Sequence, residues 1–231
     1  MHLFLLSINN SGSSILYEKI RQSKYTTTLP DEGQFIHGFA GPNPFVLNCP
    51  YMFSEKYHDF ALEKNYDWES IKTLWNSFWE DNLIKVEKSP PNVVRVHMLK
   101  RHFENSEFII QVRNPYQIAT SILKLRPDIS IERSCMHVAS CFFEQYKNYY
   151  SYTDKVVKYE DMVYNRGIVN NIFRDLGIKD FDLDANSNPV KQYTESKIKN
   201  FDKPVSDQVL KTGKEIFKSV ETEINFFGYE L

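Results

Sequence analysis

The sequence predicts an α/β fold with three layers, in which a mostly parallel central sheet is covered by helices on both faces. Short apolar runs typical of buried strands alternate with amphipathic stretches at helical spacing, which is the pattern of such a sheet. The run Phe108 to Val112 is the clearest buried strand. With 231 residues, 42% of them hydrophobic and 15% aromatic, the chain is long enough to bury a full-sized core. We expect one domain over residues 1–231.

The individual elements follow from these patterns. The expected strands share short apolar or β-branched runs and lie at residues 2–8, 25–29, 83–87, 108–112 and 155–159. The expected helices share apolar residues at helical spacing and lie at about residues 15–20, 68–79, 92–103, 115–125, 130–150, 168–176 and 206–226. In a parallel sheet the loops that follow the strands meet at one edge, where ligands bind. We therefore expect Asn10, Glu32, Lys88 and Arg113 to converge there.

Charge and hydropathy limit the classes of partner. The 28 basic residues nearly balance the 30 acidic ones, so a net charge of −2 provides no global field for nucleic acid, and any anion site must be local. No apolar run approaches the roughly 18 residues of a membrane span. The segment Met1 to Ser7 lacks the features of a signal peptide, so we expect a cytoplasmic location. The oligomeric state stays open.

The cysteines and histidines do not indicate a metal site. Cys49, Cys135 and Cys141 show no metal-ligand spacing, and three widely spaced thiols are a poor disulfide framework. We expect them to be packing residues. The six histidines also fall in no metal-site spacing, so no metal is predicted.

The loop Asn9-Asn10-Ser11-Gly12-Ser13-Ser14 can cradle a phosphate. Its glycine lets the backbone approach closely, and hydroxyl and N–H groups collect at a helix N-terminus. It is not a Walker A loop, because no lysine lies between Met1 and Glu18. A strand-to-helix turn with Gly and Ser also occurs for turn geometry alone, so both interpretations stay open for this loop.

Arg113 and Ser121 form a second candidate anion site. Arg113 lies at a strand tip and Ser121 nearly two turns into the next helix, so both side chains can face one anion beside the strand end. The alternative is a surface arginine in an ion pair, with an incidental serine.

Here the sequence resembles a known family. Val112-Arg113-Asn114-Pro115 followed by Ser121 resembles the 3'-phosphate motif of sulfotransferases that use 3'-phosphoadenosine 5'-phosphosulfate (PAPS). Similar short motifs follow the family's order over nearly the whole chain: the 5'-phosphosulfate loop at 8–16, Glu-Lys-Ser-Pro at 87–90, the late strand with Tyr-Glu-Asp at 157–163, and Phe-Phe-Gly-Tyr at 226–229. The resemblance is strongest to bacterial proteins of the tyrosylprotein and carbohydrate sulfotransferase type.

The resemblance implies a P-loop-NTPase-like sulfotransferase fold with PAPS as co-substrate and no required metal. The residues that it implies for nucleotide binding are Asn9, Asn10, Ser11, Gly12, Ser13, Ser14, Arg113, Ser121 and Lys197. Lys197 lies in Glu195 to Asn200, which is similar to a late nucleotide-contacting loop. A solvated run of charges is the alternative there.

Glu32 and Lys88 are the catalytic candidates. Glu32 follows Gly12 by 20 positions, close to where the resemblance places a catalytic glutamate, and a partly desolvated carboxylate can take a proton from an acceptor hydroxyl or amine. Lys88 would stabilise negative charge on the transferring sulfuryl group. Pro-Asp-Glu-Gly is also good turn sequence. Asp31, His37 and His58 are alternative bases.

One departure from the family pattern leaves an alternative function open. Many members have Lys or Arg immediately before the Ser-Gly of the first loop, where this chain has the uncharged Asn10. Either Lys88 supplies the charge, or the protein binds PAPS or its product with little turnover. A nucleotide kinase is disfavoured by the missing Walker lysine. The acceptor is expected to be a small molecule, glycan or peptide, and the Pro- and aromatic-rich residues 38–66 are candidates to line its pocket.

Overall fold

The computed structural model describes residues 1–36, 67–185 and 204–231. Within them, one five-stranded sheet has the strand order β2-β3-β1-β4-β5, and every neighbouring pair is parallel. Its strands are β1 (His2–Ser7), β2 (Thr26–Thr28), β3 (Ile84–Lys88), β4 (Ser106–Val112) and β5 (Val156–Lys158). The predicted α/β class with a parallel sheet is confirmed.

The helices lie close to their predicted positions. They are α1 (Ser13–Arg21), α2 (Trp68–Asn76), α3 (Asn92–His102), α4 (Pro115–Leu125), α5 (Ile131–Ser151), α6 (Tyr159–Tyr164), α7 (Arg166–Asp175), α8 (Asp207–Phe217) and α9 (Glu221–Phe226). Short 3₁₀ turns occupy Gly33–Phe35 and Lys218–Val220. Several starts have local signals: Ser130 and Ser206 accept backbone N–H groups at the starts of α5 and α8.

The sheet separates two hydrophobic layers because side chains of a strand alternate between its faces. In β1, Phe4 and Leu6 pack into a core with residues of α2 to α5, α8 and α9, whereas Leu3 and Leu5 pack into one with residues of α1, α6 and α7. All four side chains are fully buried. Because both faces of β1 are buried, its sequence is a nearly continuous run of apolar residues.

The direction of the connections reverses between β1 and β4. The chain passes from β1 through α1 to β2 at one edge of the sheet, whereas it passes from β4 through α4 and α5 to β5 at the other edge. Connections therefore leave β1 and β4 in opposite directions. Loops that diverge in this way at the carboxyl ends of strands are where open α/β sheets bind ligands.

Three details differ from the predictions. Helix α6 was not predicted, because the short Tyr-Glu-Asp run was assigned partly to the preceding strand. The predicted final helix is broken by the 3₁₀ turn at Lys218–Val220. Leu125 and Phe78 belong to the apolar residues that predicted the helices at 115–125 and 68–79, but they are 69% and 44% exposed, since Leu125 lies in the last turn of α4 and Phe78 follows the end of α2.

Helix α5 has the length of a membrane span but not its composition. The longest in these ranges, α5, has 21 residues but includes Glu132, Arg133, Glu144 and Lys147. Neither α5 nor any other helix of the described ranges combines enough length with enough apolarity to span a bilayer.

Candidate functional site

The candidate site lies at the carboxyl edge of the sheet. The loops after β1, β2, β3 and β4 and the start of α6 after β5 all emerge there. The structure therefore brings the loops that carry Asn10, Glu32, Lys88 and Arg113 to a common edge, as expected from the sequence. His37, His58 and Lys197 lie outside the described residues, as do Cys49, 38–66 and 195–200.

The loop between β1 and α1 turns sharply through two left-handed residues. Asn10 has a φ of 62° and Gly12 a φ of 89°. Ser11 fixes the turn, because its N–H and its hydroxyl both donate to the carbonyl of Ile8, at 3.1 and 2.6 Å. Helix α1 begins at Ser13 with no acidic residue in its first turn and no side-chain cap from Gly12. The first N–H groups of α1 thus face the edge of the sheet, as an anion site requires.

Tyr159 packs directly on Gly12. A Cβ atom at Gly12 would lie 2.1 Å from the Tyr159 ring, so glycine is needed there for contact as well as for its φ. The guanidinium of Arg113 lies 4.5 Å from the centre of the same ring. Arg113 Nη1 also donates to the carbonyl of Asn10 over 3.2 Å. These contacts join the two predicted phosphate-binding segments into one cluster.

Arg113 is a buried cation. It is 8% exposed, and burial lowers the pKa of its guanidinium, while Tyr159 and Glu160 act in the opposite direction. Arginine nevertheless stays protonated in proteins. An anion beside this buried guanidinium would be held by charge-assisted hydrogen bonds, which are the strong ones.

Asn114 fixes the start of α4 next to Arg113. Its side-chain oxygen accepts the N–H groups of Tyr116 and Gln117, at 3.1 and 3.2 Å. Its own N–H donates to Glu160 over 2.9 Å, and the other oxygen of Glu160 accepts the hydroxyl of Tyr229 over 2.7 Å. The Tyr-Glu-Asp run thus supports the Arg113 turn, a role that its resemblance to the family motif did not predict.

Ser121 lies further along the same helix. Asn114, Gln117 and Ser121 are spaced by three and four residues and are all half-buried, so they share one accessible side of the start of α4. The stripe begins at the strand end that carries Arg113. Ser121 thus lies on the same accessible side of α4 as Asn114 and Gln117.

Glu32 and Lys88, the two predicted catalytic residues, are in direct contact. Lys88 Nζ forms an ion pair with Glu32 Oε1, and Gln34 Nε2 donates to the other oxygen of Glu32. The side chains of Lys88 and Glu32 are 5% and 19% exposed. Lys88 Nζ also lies 6.0 Å from the ring centre of Tyr17. A partly desolvated carboxylate and a cation thus share one corner of the edge.

Asp31, one of the alternative bases, has a different position. It is exposed, and its Oδ1 accepts the N–H of Glu32 over 2.7 Å. Asp31 therefore shapes the turn that presents Glu32, and the structure favours Glu32 of these two carboxylates as the group facing Lys88.

Glu87 precedes Lys88 and is fully buried. It accepts the N–H of Gly33 over 2.9 Å, the hydroxyl of Ser89 and the side-chain amide of Asn92. Burial raises the pKa of this carboxyl, and the three hydrogen bonds oppose that shift. The sequence analysis assigned Glu87 no role. Its position directly before Lys88, in the Glu-Lys-Ser-Pro motif at a strand end, was the signal that could have identified it.

The remaining cysteine and metal predictions concern the core. Cys135 and Cys141 are buried thiols, in agreement with the packing role predicted for them, and burial raises the pKa of Cys135 to about 12. Across residues 1–36, 67–185 and 204–231, histidine, cysteine and acidic side chains form no group of three or more that could hold a metal ion.

Comparisons with known proteins connect this geometry to a fold. No protein-family model matches the sequence, and no curated protein matches it significantly. Solved structures do match, over almost the whole chain. Sulfotransferase STF9 from Mycobacterium avium has a TM-score of 0.63 and 12% identity, with 99% of this chain and 77% of that chain covered.

Two further structures agree with this match. A sulfotransferase from Alicyclobacillus acidocaldarius has a TM-score of 0.57 and 12% identity, with 99% of this chain and 96% of that chain covered. The sulfotransferase domain of the Synechococcus PCC 7002 olefin synthase has a TM-score of 0.53 and 16% identity, with 100% and 95% covered. At these identities the similarity is one of fold. The chain has the α/β fold of bacterial sulfotransferases, as the sequence motifs implied.

Proposed function

We propose that this protein is a sulfotransferase that moves the sulfuryl group of PAPS to a hydroxyl or amine acceptor. The observation that carries the proposal is that the two predicted phosphate-binding segments form one cluster. In this cluster, buried Arg113 contacts the glycine loop through Asn10 and Tyr159. It occurs at the carboxyl edge of a sheet with the fold of sulfotransferases. PAPS carries two separate anionic groups, which matches a site with two anion-binding segments.

The residues present fit this co-substrate. Gly12 leaves room for close approach, and the N–H groups at the start of α1, with the hydroxyls of Ser13 and Ser14, would hold the 5'-phosphosulfate. Arg113 and Ser121 would hold the 3'-phosphate, and Lys197 is proposed to contact the nucleotide as well. Asn9, Asn10 and Ser11 would shape the loop.

The chemistry proposed for Glu32 and Lys88 is a single displacement. The acceptor oxygen or nitrogen attacks sulfur, the bond between sulfur and the bridging phosphate oxygen breaks, and 3'-phosphoadenosine 5'-phosphate (PAP) leaves. Glu32 takes the acceptor's proton as general base. Lys88 neutralises charge that develops on the bridging oxygen, a contact whose loss commonly costs 100-fold or more. No required metal enters this scheme.

The ion pair between these residues has a mechanistic consequence. While Glu32 is paired with Lys88, its Oε1 is occupied by the ammonium group and its Oε2 by the Gln34 side-chain amide, so neither oxygen is free to contact an acceptor. An anionic sulfuryl group that attracts Lys88 would release Glu32 as the base. Co-substrate binding would thereby prepare the site for the acceptor.

Asn10 supports one alternative, a protein of this fold that binds PAPS or PAP with weak turnover. Asn10 brings no charge to the loop, and its carbonyl is occupied by Arg113. Lys88 is then the candidate for the missing cation. The acceptor class, whether small molecule, glycan or peptide, and the cytoplasmic location stay predictions.

Two measurements test the proposal. Isothermal titration should show that PAP binds and that ATP does not compete effectively, and a preference for ATP would reject the proposed function. Turnover of labelled PAPS with a panel of hydroxyl and amine acceptors then separates an enzyme from a binder. Glu32→Gln should retain PAP affinity while turnover falls at least ~100-fold, whereas Asp31→Asn serves as the control with turnover kept.

A further inference from the structure

Three consecutive residues after β2 are each held by one of three consecutive residues at the end of β3 and directly after it. Glu32 pairs with Lys88, the N–H of Gly33 donates to Glu87 over 2.9 Å, and the N–H of Gln34 donates to Ser89 Oγ over 3.2 Å. The candidate base therefore belongs to a segment whose backbone is attached to the strand that carries the candidate cation.

Glu87 lies at the centre of these attachments. Its Oε1 accepts the Gly33 N–H and the Ser89 hydroxyl, and its Oε2 accepts the Asn92 side-chain amide. Since the Ser89 hydroxyl donates to Glu87, its oxygen is oriented to accept from Gln34. Glu87 thus controls both backbone bonds directly or through Ser89.

The packing around Gly33 leaves the segment little freedom. A Cβ atom at Gly33 would lie 2.4 Å from the Trp75 ring and 2.8 Å from Glu87 Oε1. Trp75 is itself 2% exposed, so the backbone at Gly33 lies between a buried ring and a buried carboxylate. Such a contact is rigid because core side chains are closely packed.

We propose that Glu87 is a positioning residue that holds the Glu32 carboxylate at a fixed place beside Lys88. The Gly33 N–H belongs to the peptide group that follows Glu32, so its bond to Glu87 fixes the Glu32 backbone. This inference rests on the proposed role of Glu32. A displacement of about 1 Å in a catalytic group can lower the rate by ~100-fold, so the attachment matters for chemistry as well as for folding.

The structure offers variants that separate position from charge. Glu87→Gln keeps the side-chain length, so its oxygen can still accept the Gly33 N–H. Its amide can donate to Asn92 Oδ1 after that side chain flips, since this oxygen has no hydrogen-bond partner among the described residues. Glu87→Asp keeps the charge, but its shorter side chain no longer reaches Gly33.

If Glu87 acts by position, the variant that keeps its length should stay active and the variant that keeps its charge should not. A residue that acts by its charge would give the opposite result. Glu87→Gln should keep kcat within ~3-fold of the parent, whereas Glu87→Asp and Glu87→Ala should lose ~10- to 100-fold in kcat with the dissociation constant of PAP within ~2-fold. Glu32→Gln should lower kcat by a much smaller factor in the Glu87→Asp variant than in the unsubstituted protein, because a misplaced base contributes little to the rate. Phe173→Leu, in the core on the α1 and α7 side, is the control for destabilisation alone.

The opposite pattern overturns the proposal. An active Glu87→Asp with an inactive Glu87→Gln would show that charge, and not position, is what matters. An equal loss of kcat in Phe173→Leu, or parallel losses of kcat and PAP affinity in Glu87→Asp, would show a purely structural role.

The failure of the proposed function would look different. If the parent binds PAP but does not turn over PAPS, hydrogen exchange at the Gly33 and Gln34 amides tests the attachment itself. Exchange should be faster in Glu87→Asp but unchanged in Glu87→Gln and Phe173→Leu. Unchanged exchange in Glu87→Asp would overturn the inference independently of the reaction.

Discussion

Arg113 shows how one side chain can serve two segments of a site. Its guanidinium contacts the carbonyl of Asn10 and the ring of Tyr159, and it is nearly excluded from water. A planar guanidinium can stack on a ring while its edge nitrogens donate to an anion. A lysine at this position would keep the charge but lose the fork and the stacking.

Arg113→Lys and Arg113→Ala should therefore both weaken PAP binding. We expect the dissociation constant to rise at least ~10-fold for lysine and ~100-fold for alanine, as for the loss of charge-assisted hydrogen bonds. Isothermal titration measures both. Arg21→Ala, an exposed arginine paired with Glu18, is the control and should leave the affinity unchanged. Equal affinities for all these variants would remove Arg113 from the nucleotide site.

The burial of Glu87 should make the free energy of unfolding depend on pH. Its pKa is raised in the folded protein by burial, and Glu32, Lys88 and Tyr17 are the titratable groups nearby. Because the unfolded chain releases this proton at lower pH, the free energy of unfolding falls as pH rises from the usual glutamate pKa towards the raised one. Glu87→Gln has no titratable group at this position and should not show this contribution to the pH dependence. Denaturant unfolding at pH 4 to 8 should show the parent losing stability relative to Glu87→Gln as pH rises, and parallel profiles would contradict this.

At the scale of elements, apolar periodicity was sufficient to predict most strands and helices. The runs at β1 and β4 are continuous because both faces of the sheet are buried, and α5 follows from Ser130 and a long aromatic stripe. Helix α6 escaped prediction because six residues hold too few turns for a helical period to show. Exposure at helix ends, as for Leu125, depends on where the neighbouring elements stop.

The β1–α1 loop gives a prediction at this scale. Gly12→Ala places a methyl group at a φ of 89° and within 2.1 Å of the Tyr159 ring, so we expect destabilisation of at least ~2 kcal/mol and loss of PAP binding. Gly167→Ala is the matched control, since a Cβ atom there meets nothing within 4 Å and lies in α7, where alanine is favoured. Chemical denaturation and PAP titration compare the two. Equal stability of the two variants would contradict the loop geometry.

At the scale of the whole molecule, the C-terminal segment supports the site from the far end of the chain. The hydroxyl of Tyr229 donates to Glu160, which accepts the N–H of Asn114 beside Arg113. Burial raises the pKa of Tyr229, so its phenol stays a donor throughout the neutral range. Residues 69 positions apart are thus joined by a charge-assisted bond.

Tyr229→Phe should cost ~1 to 3 kcal/mol of unfolding free energy, because Glu160 loses a buried donor. PAP affinity should fall a few-fold, since the turn that carries Arg113 becomes less well held. Thermal unfolding and titration measure these effects. Tyr152→Phe, at an exposed tyrosine, is the control, and the same result for both variants would exclude a special role of Tyr229.

The sequence by itself determined the order of strands and helices and the residue types at each strand end, because apolar periodicity and turn residues act locally along the chain. Arg113, Lys88 and the glycine loop could be singled out in this way. Only the tertiary structure decided their partners. Arg113 meets Asn10 across 103 positions, Glu32 meets Lys88 across 56 and Gly33 meets Glu87 across 54. These contacts depend on the strand order β2-β3-β1-β4-β5, which packing of the two cores selects and no local pattern encodes.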